Sequence, residues 1–403
     1  MRRFGTLVSC FFVAFLVAPA LSYAFGDEVH VGVMVPVTKK GASYGVQIRA
    51  AIEVAVEEVN ARGGISGRKL KMTLLDYEGD AALGIQLARR LIDKEQVIAI
   101  HGPDWSSVAE AVFPICERSK ILCFSPTSTK PGVSAPYWWA FRNTVDENVL
   151  IPLTLAWVKQ SYPWVKTVAL MTDIKDAYSK SLGHDVFRTK LREMGIELVE
   201  DVDYVTGDTD FSAHITKIKA KNPDMIAVGG TWVETANMMK EAEKQDLKVL
   251  WVDGVGFGNA RLIENTGQAS EGAVFNATYD KDANTELNKS YVKRLLDKVP
   301  QETPHWPAAN AYDAMKMLAY AIEKANIDNT TKSLETDRQK VREELAKVKE
   351  FSGITSEDGK ITMVDMVDGK HVGDAIKKGV LTQIQNGQFV LVGEGKNPPL
   401  PLR

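Results

Sequence analysis

The stretch VHVGVMVPVTKKGASYGVQIRAAIEVAVEEVN, residues 29–60, decides the fold. Its first part, 29–35, is a β-branched run typical of a buried strand, whereas the apolar residues of 46–60 recur on one helical face. Gly63-Gly64 then ends the helix, and apolar residues alternate over 70–74, as in the next strand. The stretch therefore predicts a strand, a helix and a second strand in succession.

The same alternation continues along most of the chain. Sequential units of this kind predict parallel sheets covered by helices on both faces, and thus an α/β fold. The further predicted elements are strands 97–101, 121–125, 166–172, 197–204, 224–229 and 249–253, helices 82–94, 107–120, 148–161, 179–194, 211–221, 232–244, 286–298, 308–325 and 334–348, and a β-rich tail over 359–393.

The N-terminus carries the pattern of an export signal. Arg2 and Arg3 precede an apolar run over 7–21, and a small-x-small cleavage site ends at Ala24. The run is shorter than the roughly 20 apolar residues that a membrane-spanning helix needs. Cys10 lies before the apolar segment rather than after it, so a lipid anchor is not expected. We expect a signal peptide over 1–24 and a periplasmic mature chain.

Length and charge limit the number of lobes and the kinds of partner that are expected. A chain of 403 residues exceeds what one core usually serves, so two lobes are expected. The formal net charge is −3 and the charges are scattered, which argues against a nucleic acid partner. There is no metal-ligand spacing, and no metal or cofactor is expected. Cys116 and Cys123 remain after export, either as a disulfide or as two buried free thiols.

Candidate binding loops follow the strands, because the ligand crevice of a parallel sheet lies beyond the carboxyl ends of its strands. In the first lobe these loops are 38–44, 102–106 and 125–131, all rich in hydroxyl groups. Ser106 would open a helix, where backbone N–H groups favour a carboxylate. Taken singly, Ser106 could be only a helix cap and Thr127–Thr129 only a turn.

The second lobe offers the loops 173–178, 229–232 and 253–258. Large aromatic residues lie in the loops of both lobes, at Tyr44, Trp105, Tyr178 and Trp232. Any one of them could fill a core. Together they predict a wall for an apolar or cationic ligand.

One enzyme motif competes with this interpretation. Residues 41–45, GASYG, match the nucleophile elbow of α/β-hydrolases with Ser43 as nucleophile. An elbow turns directly off a strand, whereas residues 38–40 intervene here. We therefore expect Ser43 to cap a helix and the protein not to be an enzyme.

Several of these segments together resemble one protein family. The chain is similar to the periplasmic leucine/isoleucine/valine-binding proteins, the type I solute receptors of branched-chain amino acid ABC importers. The matching segments are 60–67, 102–106, 125–131, 141–142, 209–212 and 229–230, in that order.

The resemblance implies two Rossmann-like lobes joined by three crossings, near residues 145, 276 and 353. Lobe 1 would comprise 25–145 plus 277–352, and lobe 2 would comprise 146–276 plus 353–403. It also implies capture of a small solute by hinge closure and delivery to an ABC permease in the inner membrane. A sensor of the same fold is the alternative, although sensors usually continue into a membrane span and the sequence ends at Arg403 with no apolar segment after it.

The resemblance also implies roles for individual residues. The ligand carboxylate would be held by Ser106 and by the loop Thr127–Thr129, and the ammonium by an acid in the loop 253–258, where only Asp253 is acidic. Whether the ligand is an amino acid, or an aromatic acid or amide, stays open; Asp104 or Asp146 could replace the acid, and Asp146 could instead pair with Arg142. The expected ligand-binding residues are Tyr44, Trp105, Ser106, Thr127, Ser128, Thr129, Tyr178, Trp232 and Asp253.

Overall fold

The computed structural model describes residues 26–393 and 396–401, so the expected signal peptide, residues 1–24, lies outside the described residues. The first third of the chain alternates strands and helices as its periodicity predicts. Its elements are β1 Glu28–Val35, α1 Ala42–Ala61, β2 Lys69–Asp76, α2 Ala81–Arg89, β3 Ile100–His101, α3 Ser106–Arg118, β4 Cys123–Ser125 and β5 Ala140–Arg142.

The middle third repeats the alternation. A π-helical segment, Ser181–Phe187, divides the single helix predicted over 179–194 into two shorter helices. The helix Arg261–Thr266 and the strand Val274–Ala277 were not predicted. The elements are α4 Glu147–Ser161, β6 Thr167–Asp173, α5 Ala177–Lys180, α6 Arg188–Glu193, β7 Glu197–Tyr204, α7 Ser212–Lys219, β8 Met225–Gly229, α8 Trp232–Lys244, β9 Leu250–Asp253, α9 Arg261–Thr266 and β10 Val274–Ala277.

The last third contains three helices followed by the β-rich tail. Its elements are α10 Glu286–Lys298, α11 Trp306–Ala325, α12 Leu334–Ala346, β11 Phe351–Ser352, β12 Lys360–Val367, β13 Lys370–Ile376, β14 Val380–Gln385 and β15 Gln388–Val392. Among the described residues, no helix is both long and apolar enough to cross a membrane.

The strands form two sheets, one in each lobe. The first sheet has the order β11-β12-β13-β5-β4-β3-β1-β2, and the second has the order β15-β14-β10-β9-β8-β6-β7. Strands β1 to β5 pair in parallel, as do β6 to β10, whereas β12 with β13 and β14 with β10 are antiparallel. The predicted fold class, an α/β protein with two parallel-sheet lobes, is confirmed.

The third crossing between the lobes is not where the sequence predicted it. Strands β12 and β13 belong to the first sheet, in which Asp374 pairs with Arg142 of β5, and only β14 and β15 join the second. The chain therefore crosses at residues 377–379. Both the crossing near 353 and the assignment of all of 353–403 to lobe 2, which the family resemblance implied, are wrong. Which sheet edge the hairpin joins depends on its pairing with the distant strand β5.

Strand β1 lies between β3 and the edge strand β2 of the lobe 1 sheet, and most of its residues are buried. Val31 and Val33 pack into the core shared with α1 and α11, whereas Met34 packs into a second cluster under α2 and α3. Gly32 lets the chain after α2 approach closely, since a Cβ there would lie 2.8 Å from a methyl carbon of Leu91. This packing fixes the carboxyl end of β1, from which the first candidate loop departs.

Candidate functional site

The carboxyl ends of the two sheets lead into a cleft across which the lobes touch. Trp306, at the start of α11, donates a hydrogen bond from Nε1 to the carbonyl of Val255 in lobe 2 at 3.2 Å. Asn259 of lobe 2 reaches the carbonyl of Ser43 in lobe 1 at 3.5 Å, and α3 contacts α5. Residues of the predicted loops 38–44 and 253–258 therefore take part in the contacts between the lobes.

The lobe 1 wall consists of the loops after β3 and β4. Hydrogen bonds from side-chain hydroxyl groups join these two loops. Thr127 Oγ1 and Ser128 Oγ both donate to the carbonyl of Asp104, at 2.8 and 3.1 Å. Ser106 Oγ accepts from the backbone N–H of Lys130 at 3.3 Å. The protons of Thr127 and Ser128 are thus used within the wall, whereas Ser106 keeps its own proton for a ligand.

Ser106 is the first residue of α3 and not its cap. The N-cap position belongs to Trp105, whose side chain makes no capping hydrogen bond. The first N–H groups of a helix have no acceptor within it and favour an anion. Thr129 is buried in the same wall. This geometry suits a carboxylate, as the sequence predicted.

The two aromatic residues predicted for the lobe 1 side of the site, Tyr44 and Trp105, lie in different surroundings. The ring of Tyr44 packs edge-on against His305, with 5.6 Å between ring centroids, and its hydroxyl lies beside Asn259 of the other lobe. Burial raises the pKa of Tyr44. Trp105 instead packs on lobe 1 itself, because a Cβ on Gly79 would lie 2.8 Å from its ring. The structure thus places Tyr44 between the lobes and supports Trp105 mainly as a packing residue.

The lobe 2 wall contains two buried carboxyl groups. Glu147, the first residue of α4, accepts at Oε1 from Tyr178 Oη at 3.3 Å and from the N–H of Val255 at 3.2 Å. Burial raises its pKa to about 7. Asp253 is fully buried, and burial together with the charge of Glu147 holds its pKa well above the usual range, although the N–H groups of Gly254 and nearby residues oppose the shift.

Glu147 was not among the predicted site residues, although its neighbour Asp146 was considered. Asp146 caps α4 by accepting from the N–H of Asn148, and it pairs with Arg142 at 3.0 Å. It serves the hinge and is not free to hold a ligand ammonium. The position of Glu147 directly after the first crossing is the only sequence signal for it, since its partners lie far away in the chain.

Seven of the buried polar atoms that lack a hydrogen-bond partner among the described residues belong to residues at the carboxyl ends of strands or shortly after them. Buried polar groups are normally paired, so a ligand or water would complete these atoms. No lysine or arginine of the described residues hydrogen-bonds to these acids. The atoms are both carboxylate oxygens of Asp104 and of Asp253, Oε2 of Glu147, Oη of Tyr204 and Nε1 of Trp232.

The hydrolase alternative finds no support in the geometry. Ser43 is the second residue of α1, and the N-cap position belongs to Gly41, so the expected capping role of Ser43 is wrong. Among the described residues, no histidine hydrogen-bonds to its hydroxyl, and no group of side chains could hold a metal ion.

Two α/β lobes joined by three crossings around a polar cleft define a two-lobed solute-binding protein. The family model described as periplasmic binding protein matches residues 28–388, and the chain belongs to this family. Its members are periplasmic binding proteins of ABC transporters. The protein is therefore a solute-binding component of an ABC importer, not an enzyme, and the predicted family resemblance is confirmed.

Named relatives agree with this assignment. The chain is 27% identical over 349 residues to a leucine-, isoleucine-, valine-, threonine-, and alanine-binding protein of Pseudomonas aeruginosa, covering 86% of this chain and 89% of that protein. A leucine binding protein from Thermotoga maritima superposes with a TM-score of 0.80 at 29% identity, covering 91% and 98% of the two chains. A Rhodopseudomonas palustris solute binding protein in complex with 4-hydroxybenzoate shares the fold, with a TM-score of 0.77 at 18% identity over 92% and 96%.

Proposed function

We propose that this protein captures an α-amino acid in the cleft and delivers it to an ABC permease in the inner membrane. Ser106 and the loop Thr127–Thr129 of lobe 1 would bind the carboxylate, and Asp253 of lobe 2 would bind the ammonium. One observation carries the proposal: Asp253 and Glu147 are buried close to each other, and no cation among the described residues pairs with them. Tyr178, which donates to Glu147, belongs to α5, and α5 contacts α3 of lobe 1.

Charge complementarity supports this orientation of the ligand. A buried carboxyl without a partner is costly, and a ligand ammonium would remove that cost by pairing with it. The N-terminus of α3 offers free N–H groups and the Ser106 hydroxyl to the opposite charge. In an α-amino acid the ammonium and the carboxylate are attached to the same carbon atom, so one molecule can bind both walls at once.

Hinge closure follows from the same arrangement. Tyr178, Trp232 and Asp253 belong to lobe 2, whereas Ser106 and Tyr44 belong to lobe 1, so a ligand makes all its contacts only when the lobes are together. Such a ligand selects the closed conformation through its extra contacts there. The permease would then receive the closed, loaded form.

An aromatic carboxylic acid is the second candidate, favoured by the aromatic side chains of Tyr44, Tyr178 and Trp232. Trp232 also presents a buried N–H without a partner. Such a ligand lacks an ammonium, and it would leave the two lobe 2 carboxyls unpaired or protonated. The amino acid accounts for more of the site.

The test is a thermal-shift screen of the twenty amino acids and of 4-hydroxybenzoate, since a ligand that binds only the folded state raises the melting temperature. The best amino acid is then compared by calorimetry with its analogues lacking the amino or the carboxyl group. We expect binding of the amino acid and of neither analogue. A melting temperature raised only by 4-hydroxybenzoate, or equal binding of the deaminated analogue, would refute the proposal.

Export is part of the proposal and rests on the N-terminal pattern and on the periplasmic location of the family. We expect the mature protein, purified from a cell that exports it, to begin at Phe25. Intact mass and N-terminal sequencing measure this directly. A mature chain that retains Arg2 and Arg3 would contradict it.

A further inference from the structure

Asp104 is held in the middle of the lobe 1 wall by its main chain. Its N–H donates to Tyr77 Oη at 3.2 Å, and its carbonyl accepts from Thr127 and Ser128. It lies two residues before Ser106, and only 2% of it is exposed. The residue therefore has one fixed position within the candidate site.

The carboxyl group of Asp104 takes no part in these contacts. Neither of its oxygens has a hydrogen-bond partner among the described residues, and no cation pairs with it. Burial raises its pKa to about 8, although its own backbone N–H and the hydroxyl group of Thr127 oppose the shift. A buried carboxyl left unpaired destabilises the protein, and an apolar residue of similar size would avoid that cost.

The ligand's charged ends do not explain Asp104 either. The ammonium is assigned to Asp253, which lies close to Glu147 in the opposite lobe, and the carboxylate to Ser106 and the loop Thr127–Thr129. A second carboxyl on the carboxylate side can be tolerated when it is protonated, and a protonated carboxyl both donates and accepts hydrogen bonds. The side chain of the ligand is the remaining group to which the Asp104 carboxyl could hydrogen-bond.

Resting on the proposed function, we infer that Asp104 is a specificity-determining residue that binds an N–H or O–H donor in the ligand's side chain. The solute is then an amino acid with a polar side chain. Leucine and valine would leave the Asp104 carboxyl unpaired on closure. Sites built to hydrogen-bond a substrate group reject analogues that lack it far more strongly than apolar pockets reject a change in size.

The experiment compares ligands of matched shape by calorimetry, threonine with valine and asparagine with leucine, with lysine as the cationic arm. In the wild type we expect the member with a donor to bind at least about 100-fold more tightly. In Asp104→Leu we expect the preference within each pair to disappear or reverse. Asp104→Asn, which keeps donor and acceptor atoms, should retain most of it.

The outcomes separate the two proposals. If no amino acid binds the wild type, the proposed function fails. If amino acids bind but valine and leucine match threonine and asparagine, and Asp104→Leu changes nothing, the role of Asp104 is refuted while the proposed function stands. Asp253→Asn serves as the contrast, since it should weaken all amino acids alike. Should Asp104→Leu not fold, the comparison in the wild type decides: equal affinities within each pair of ligands refute the role of Asp104.

Discussion

Three carboxyl groups, Asp104, Glu147 and Asp253, determine the chemistry of the cleft because each is buried and at least one oxygen of each is unpaired. Such unpaired groups lower the stability of the ligand-free protein, and a ligand group that pairs with them would remove this cost. Ligand affinity and the stability of the empty protein are therefore expected to oppose each other at these positions.

Glu147 gives a pH dependence of stability with a definite sign. Its pKa is raised from an ordinary 4.5 to about 7 in the folded protein, so the unfolded chain loses this proton first as pH rises. The free energy of unfolding should therefore fall between about pH 4.5 and 7, by up to about 3 kcal/mol from this group. Urea denaturation of the empty protein across this range measures it.

Glu147→Gln is the matched variant, because it keeps the shape of the side chain and removes the titration. It should be more stable than the wild type at pH 7 and should show a flatter pH profile. An unchanged profile would mean that Glu147 is not the titrating group. In the wild type, affinity for the amino acid should rise with pH over the same interval, because the carboxylate form pairs with the ammonium.

Ser106 is the best test of the carboxylate end. Ser106→Ala removes the hydroxyl donor and should weaken binding by about 1 to 3 kcal/mol, measured by calorimetry. Ser107→Ala on the same helix turn is the control and should bind as the wild type does. Equal affinity of the two variants would remove Ser106 from the site.

At the scale of elements, the loops between strands and helices carry the site, whereas the elements themselves position it. Helix α3 does both: its start presents Ser106, and its end packs Cys116 next to Cys123 of β4. The structure has both cysteines as free, buried thiols. Burial, together with the neighbouring Cys116, raises the pKa of Cys123 well above its usual range.

These thiols should be inert in the folded protein. We expect a thiol reagent to label neither cysteine of the native mature chain, and to label both after unfolding in guanidinium without reductant. Absorbance of the released chromophore counts the reactive thiols. If no thiol reacts after unfolding unless reductant is added, the two cysteines form a disulfide in the exported protein.

At the scale of the whole molecule, the three crossings meet in one buried polar network. Lys377 Nζ donates to the carbonyl of Asn143 at 2.7 Å, to Oδ1 of Asn310 at 2.6 Å and to Oγ1 of Thr355 at 2.7 Å. Asn310 in turn donates to Thr278 Oγ1 at 2.8 Å. Asn143, Thr278 and Lys377 each belong to a different crossing, so the network joins the whole hinge.

Burial lowers the pKa of Lys377 to about 7, while the carboxylate of Asp313 opposes this shift. Because these hydrogen bonds join the three crossings while the lobes are in contact, their loss should favour other hinge angles. We expect Lys377→Met to weaken ligand binding by roughly tenfold although Lys377 lies outside the ligand site. Calorimetry, with X-ray scattering at saturating ligand to measure closure, tests this.

Lys378→Met is the matched control for the hinge. Its side chain is 67% exposed and pairs only with Asp358 at the surface, so neither affinity nor closure should change. A Lys377→Met protein with a lower melting temperature but wild-type affinity and scattering would show that the network only stabilises the fold.

Much of this molecule follows from local sequence. The run 29–35 and the helical face of 46–60 are periodic over a few residues, and β1 and α1 appear where that periodicity places them. Parallel strands end at one edge of a sheet, so Ser106 and Asp253 could be placed near a cleft simply because they follow strands. Export, too, is an inference from local composition at the N-terminus.

Other features depend on contacts between distant parts of the chain. The hairpin 360–376 joins lobe 1 because of its pairing with β5, which strand propensity does not encode. Ser106 only accepts a hydrogen bond, from Lys130, whereas Thr127 donates one to Asp104, and Glu147 is buried beside Tyr178 and Val255; only the folded chain brings these partners together. Length and periodicity were sufficient to predict the two-lobed α/β class and the loops that follow its strands. Which polar groups are buried unpaired depends on the tertiary structure, because burial and pairing are properties of the packed chain.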